Sequence, residues 1–294
     1  MLNNDHKKME IREVQKEDFP PLLKEIQDPP KKLHIIGDVP KCQFYLSVVG
    51  SRRPSPYGAH AVENLISGLS GYSICIVSGL ALGIDALAHK SALEAGLKTI
   101  AVPGSGLSPN VLYPSRNREL ARKIVESGGA LISEFENDFK ATLWSFPQRN
   151  RVMAGLSHAV LLVEAEEKSG TLITAKLASD YNRDVLVVPG SIYSSHSKGT
   201  NLFLRLGAEA ITKSEDILSH FSLIDPSVAR DKIDIEKEMS DDEKIIWKKL
   251  TDPKTRESLV SQSGLPAERA SVALSLLEIK NFIKEKMGKV YKNI

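Results

Sequence analysis

YLSVVGSRRPSPYG, residues 45–58, is the stretch whose reading decides the fold. An apolar run ends in Gly50, Ser51 and Arg52, prolines at 54 and 56 interrupt the chain, and a helix is expected from near Tyr57. A strand, a small-residue turn and a helix in that order aim the turn's N–H groups and the first turn of the helix at one point, which suits a phosphate. Arg52 and Arg53 add full charges there. The turn is no dinucleotide fingerprint, because G-x-G-x-x-G needs glycine where Arg52 and Ser55 stand. Nor is it a Walker A loop, because no Gly-Lys-Ser/Thr follows. The turn therefore calls for an anion, and for no nicotinamide, ATP or other cofactor. In the plainer reading Gly50 only permits a tight turn and both arginines are solvated.

Outward from this turn, short apolar runs alternate with helix-length stretches. Strands are expected at 44–49, 73–77, 99–102, 130–133, 159–163 and 185–188, with a shorter one at 210–212. Helical patterns fall near 57–70, 84–96, 115–127, 145–156, 171–182 and 200–206. Near-continuous Val/Ile/Leu strands separated by single helices imply a Rossmann-like, mainly parallel sheet with helices on both faces. Ligands of such sheets bind at the carboxyl ends of the strands.

The loops expected at those ends share a character. Ser78 to Asp85 follows the second strand, Pro103 to Gly106 the third and Pro189 to Ser191 the sixth, each carrying glycine. After the fifth strand, EAEEKSGTLIT runs through Lys168, Ser169, Gly170 and Thr171 into a helix, so a second helix start has hydroxyls and a cation beside it. In FPQRNRVMAGLS, residues 146–157, Arg149, Asn150 and Arg151 adjoin Phe146 and Trp144. Guanidinium forks that clasp phosphate beside rings that stack on bases suit unpaired nucleic acid. The structural alternative makes the rings core and the arginines salt-bridged.

Composition sets mild limits. A chain of 294 residues holds one sizeable α/β domain and a small one. A formal net charge of +2 leaves any nucleic-acid affinity to local clusters of Lys and Arg. Two cysteines, Cys42 and Cys75, make no disulfide framework and suit a reducing cytoplasm. Without a long apolar run or a signal-peptide core, no membrane is expected, and no metal-ligand cluster stands out.

In order along the chain, VVGSRRPSPYG, VSGLALGIDALAH, IAVPGSGL with Tyr113-Pro114, GGALISEF, FPQRNRVMAGLS, EAEEKSGTLITA and VPGSI followed by Gly199-Thr200-Asn201 resemble the DNA-processing protein A family (DprA, also called Smf). Phe19 to Asp38 is similar to that family's lead-in. The resemblance implies a non-enzymatic protein of natural transformation and recombination. Such a protein binds single-stranded DNA, protects it and helps load the RecA recombinase. A homodimer is also implied, through apolar faces such as Ile192 to Leu206. Matched motif by motif, Gly50, Ser51 and Arg52 fall on the family's phosphate turn. Phe146, Arg149, Asn150 and Arg151 fall on its F-x-x-R-N-R segment, and Lys168, Ser169, Gly170 and Thr171 on a loop facing the same pocket. Arg53 is added for its charge.

The expected organisation is a lead-in over 1–43, the core over 44–221, a linker over 222–240 and a winged-helix-like domain over 241–294. The would-be recognition helix there has Arg269 and Lys280 beside Glu268 and Glu278, which argues for a protein-contact or accessory role over duplex reading, while Lys284, Lys286, Lys289 and Lys292 of the wing are left as candidate phosphate contacts. The competing class is a nucleotide-processing enzyme related to nucleoside-monophosphate phosphoribohydrolases. That family's signature needs a carboxylate where Thr174 stands. Asp85 and Glu164 are the other carboxylates near strand ends, and each is read as capping a helix or binding a loop N–H, so no catalytic residue is assigned.

Overall fold

The computed structural model describes residues 10–167, 169–224, 239–280, 282–286 and 288–292. The chain divides into two units, meeting at Phe221 and Ser222.

The first unit opens with β1 (Arg12–Gln15), α1 (Pro21–Lys24) and β2 (Lys32–Gly37). Strand and helix then alternate through β3 (Phe44–Val49), α2 (Pro56–Ser67), β4 (Ile74–Ser78), α3 (Ile84–Glu94), β5 (Lys98–Ala101), α4 (Arg118–Glu126) and β6 (Ala130–Ser133). The series continues with α5 (Ser145–Leu156), β7 (Ala159–Leu162), α6 (Thr171–Asp180), β8 (Asp184–Val187), α7 (Lys198–Arg205), β9 (Glu209–Ala210) and α8 (Ser214–His220). These strands form one sheet in the order β1-β2-β6-β5-β4-β3-β7-β8-β9. All neighbours from β6 to β9 run parallel, while β2 lies antiparallel to both β1 and β6. This is the expected Rossmann-like sheet, and its boundaries match the apolar runs to within about two residues.

Strand periodicity divides the core between two layers. Ile35, Ile100 and Ile132 pack in one layer with Val152 and Met153 of α5 and Ala175 and Ala178 of α6. Their chain neighbours Ile36, Ala101 and Leu131 pack in the other with Ala86 of α3 and Leu120 and Ile124 of α4.

One expectation needs correction. The lead-in belongs to the core: β2 pairs with β6 from Gly37↔Ala130 to His34↔Ser133, and Phe19, Leu23, Ile26 and Leu33 are buried in the layer that holds α5. The parallel sheet left the β6 edge open, and covering it buries those four side chains. The folded unit therefore starts upstream of residue 44.

Cys75 of β4 is fully buried, and Cys42, just ahead of β3, packs half-buried against the same cluster. A hydrogen bond from Cys75, helped by the charge of Lys98, lowers the Cys42 thiol to about 7, while burial pushes Cys75 well up. Iodoacetamide is expected to alkylate Cys42 with a half-maximal rate near pH 7 and to spare Cys75 until the unit unfolds. Peptide mass mapping checks this; equal labelling of both thiols in folded protein would contradict it.

The second unit contains α9 (Asp241–Lys249), α10 (Arg256–Ser263), α11 (Ala267–Ile279) and a hairpin of β10 (Ile283–Lys286) with β11 (Lys289–Lys292). Three helices are followed by a hairpin in this unit. Ser240 and Glu243 form a capping box at the start of α9, Thr255 caps α10, and Gly264 ends α10 in the left-handed conformation. Ile246, Leu259, Leu274 and Leu277 make its small core. The charges around α11 are taken internally: Arg269 pairs with Asp242, Lys280 with Glu243, and Arg256 with Glu278 and Glu285. Val272 and Ile279, 58% and 79% exposed, leave an apolar outer surface on that helix. Among the described residues no helix is long and apolar enough to cross a membrane.

Candidate nucleic-acid interface

β3 lies between β4 and β7, and the chain leaves β3 and β7 toward opposite sides of the sheet. Their carboxyl ends therefore part into a crevice. α5, which carries the chain from β6 back across to β7, lays its amino-terminal half over that crevice. The result is a cleft of about 230 Å³, walled by Gly50 and Arg52 from β3, by α5, and by Ser169, Gly170 and Thr171 ahead of and in α6.

Helical geometry selects which α5 side chains reach it. Phe146, Arg149, Asn150 and Met153 all line the cleft, at i, i+3, i+4 and i+7. Arg149 is buried, with one terminal nitrogen donating to the carbonyls of Gly79 and Val102 and Nε donating to Asn150 Oδ1 at 3.1 Å. Among the described residues, Nη2 donates to no protein acceptor. Gly79 is required here, since a Cβ would fall 2.0 Å from the guanidinium. Burial lowers Arg149 to about 10, against the pull of Asp85, so it remains charged at neutral pH. Asp85 lies beside it, accepting the Gly79 N–H at 3.1 Å; burial pushes this carboxyl up while Arg149 draws it down. Asp85 thus holds the Ser78–Gly83 loop, as its sequence position implied.

Arg52 is exposed, with its guanidinium 4.8 Å from the centre of the Phe146 ring. Among the described residues it makes no salt bridge or hydrogen bond. Phe146 is half-buried and seated against Gly104, where a Cβ would meet the ring at 2.6 Å.

The turn at β3 differs from the expectation in one respect. The start of α2 is already served by a carboxylate: buried Glu164 accepts the Ser55 N–H at 2.9 Å and the Ser55 hydroxyl at 2.5 Å, while Ser55 Oγ accepts from Gly58 N–H. The start of α2 is thus served by an internal carboxyl, and at the start of α6 the Leu172 and Ile173 N–H groups are likewise turned to Ser169 O at 3.1 Å and Gly170 O at 3.2 Å. There a Cβ on Gly170 would meet nothing within 4 Å. Ser169 Oγ accepts the Thr171 N–H at 3.2 Å, and Thr171 Oγ1 donates to Gly50 O at 3.2 Å, tying the two exit loops together.

The structure brings together Gly50, Arg52, Phe146, Arg149, Asn150, Ser169, Gly170 and Thr171. It does not bring in Ser51, Arg53 or Arg151. Ser51 Oγ accepts the Arg53 N–H at 3.1 Å, and the exposed Arg53 side chain stands outside the lining. Arg151 lies on another face of α5, where it pairs with Glu134 and donates to Asp28 O. Trp144, 54% exposed, packs on Phe135 and Phe139 at 5.8 and 5.4 Å and is not part of the cleft. Lys168 lies outside the described residues. The lining residues Val49, Ala81, Pro147 and Met153 were not singled out in the sequence; one helical turn beyond Asn150 would have pointed to Met153.

The family model for DNA recombination-mediator protein A matches residues 10–222, nearly the whole of the first unit. The chain belongs to this family. Protein Smf of Escherichia coli (strain K12) is 41% identical over 203 residues, covering 69% of this chain and 54% of that protein. The chain thus spans about half the length of that curated relative. DNA processing protein DprA of Streptococcus pneumoniae is 41% identical over 204 residues, covering 69% of this chain and 71% of that one. Among solved structures, Streptococcus pneumoniae DprA superposes with a TM-score of 0.65 at 38% identity, covering 73% of this chain and 75% of that one. Helicobacter pylori DNA processing protein A, whose structure concerns its single-stranded DNA binding mode, has a TM-score of 0.65 at 31% identity, covering 73% and 97%. The ordered motifs that resembled the DprA family in the sequence are borne out as membership.

Proposed function

We propose that this protein binds single-stranded DNA in natural transformation and recombination. The cleft at the β3–β7 parting takes the strand's backbone. The observation that carries this reading is the juxtaposition of the exposed Arg52 guanidinium and the Phe146 ring with the start of α6, where Gly170 leaves steric room. A phosphate there meets a charged donor and the positive end of α6, and an adjoining base meets a ring. Arg149 supplies a second, buried positive charge. The Helicobacter pylori relative's single-stranded DNA binding mode supports the same assignment.

The cleft acts by binding and not by catalysis. Asp85 is tied to a loop N–H and Glu164 to Ser55, and Thr174 offers only a hydroxyl where a ribohydrolase needs a carboxylate. Family membership supports extending this reading to protection of incoming strands and to loading of the RecA recombinase. A homodimer would bury the outward-facing Ile192, Tyr193 and Leu206, which are 77%, 93% and 71% exposed. These roles place the protein in the cytoplasm. In the second unit the internally paired charges and apolar outer surface of α11 favour contact with protein over duplex DNA.

Fluorescence anisotropy with an oligo-dT and a matched duplex, each at two salt concentrations, tests the reading. Single strands should bind more tightly, and the logarithm of affinity should fall by about 0.7 per phosphate contact for each decade of salt. Equal affinity for duplex, or turnover of a nucleoside monophosphate, would overturn it.

A further inference from the structure

Tyr113-Pro114 is the motif for which the cleft offers no role. A second, shallow cavity of about 30 Å³ adjoins the cleft across Arg52 and Phe146, which line both. Its far wall is Leu82, Tyr113 and Pro114. Tyr113 is 48% exposed and Leu82 39%, so a ring and an aliphatic side chain stand partly in solvent beside this cavity. The Tyr113 ring centre lies 5.9 Å from that of Phe146 with the planes inclined at 47°, so the two rings are not stacked on each other.

The backbone beneath Tyr113 is held from several directions. Its N–H donates to buried Ser105 Oγ at 3.1 Å and Arg118 Nε donates to the adjoining Leu112 O at 3.2 Å, while on the Leu82 side Asn117 Nδ2 donates to Leu80 O at 2.7 Å. An aromatic ring half in water on a backbone fixed this firmly is pre-organised for a flat ligand, since little freedom is lost when one arrives.

We propose that Tyr113 is a second base-stacking residue. The base of a nucleotide next to the one whose phosphate meets Arg52 lies on the Tyr113 ring, against Leu82 and Pro114. The inference rests on the single-stranded DNA reading and deepens it. The strand passes from the cleft over the Arg52–Phe146 divide into the shallow cavity, and the contact is indifferent to base identity because every base has a π face. Bases already stacked in a duplex cannot use it.

The test measures the full chain against an oligo-dT and against an abasic deoxyribose-phosphate chain of equal length. Tyr113→Ala should weaken oligo-dT binding about 5- to 100-fold and leave abasic binding within about twofold, while Tyr113→Phe retains both. Tyr113→Leu keeps apolar bulk without a ring and should behave as the alanine variant does, which guards against a folding defect. Unchanged oligo-dT affinity in Tyr113→Ala overturns the inference and leaves the DNA reading standing. Equal losses on both chains, or a Phe variant as weak as Ala, also overturn it, by assigning Tyr113 a structural or hydroxyl role. A wild type that binds no oligo-dT removes both.

Discussion

Replacing Arg149 with methionine should destabilise the first unit by about 3 to 5 kcal/mol, the scale for removing one of two buried charges that face each other. The guanidinium is buried between the carbonyls of Gly79 and Val102 and beside Asp85. Methionine fills much of its volume but leaves two buried carbonyls without their donor and the Asp85 carboxyl without its facing charge. Asp85→Asn in the same chain removes the orphaned charge and should recover part of the loss. Urea unfolding followed by circular dichroism measures both, and the midpoint should fall without a change in slope. A single variant weaker by less than about 1 kcal/mol would mean that Arg149 is held loosely and serves chiefly as a ligand group.

Arg52→Ala is the counterpart, with its effect on binding and little on stability. The side chain is exposed and among the described residues makes no salt bridge. Losing its charged hydrogen bonds to phosphate removes about 1.5 to 3 kcal/mol, or roughly 10- to 100-fold in affinity for single strands. The salt slope should shrink by about 0.7. Arg53→Ala, one residue on and outside the cleft, is the internal control and should change affinity little. Losses of the same size in both variants would mean that the cations act as a diffuse field and that the cleft does not position the backbone.

The contrast among the arginines explains what could be read in advance. Strands and helices were legible because most apolar runs abut glycine or proline and each helix has its own period. The cleft's location was legible too, since glycine-bearing loops fall at successive strand ends. The motif FPQRNR gathers Arg149, Asn150 and Arg151 as sequence neighbours, but a helix separates them. Phe146, Arg149 and Asn150 share one stripe, and Arg151 turns toward Glu134 and Asp28. Applying the helical period inside the motif would have made that division. The pairing of Ser55 with Glu164 could not be foreseen, because the two are joined only by the adjacency of β3 and β7. Nor did REVQ announce β1: its alternation is polar, and it forms because β2 offers it an edge.

That edge bears on how the protein keeps company with itself. At one end of the sheet, β1 is four residues long, with Arg12 bridged to Asp38 and Glu13 to Lys32; at the other, β9 has only two residues. Short, charged terminal strands give a foreign strand little to add to. Growth by strand addition, the route to fibrous aggregates, is therefore discouraged at both margins, and self-association is left to side-chain surfaces that can close on a partner and stop.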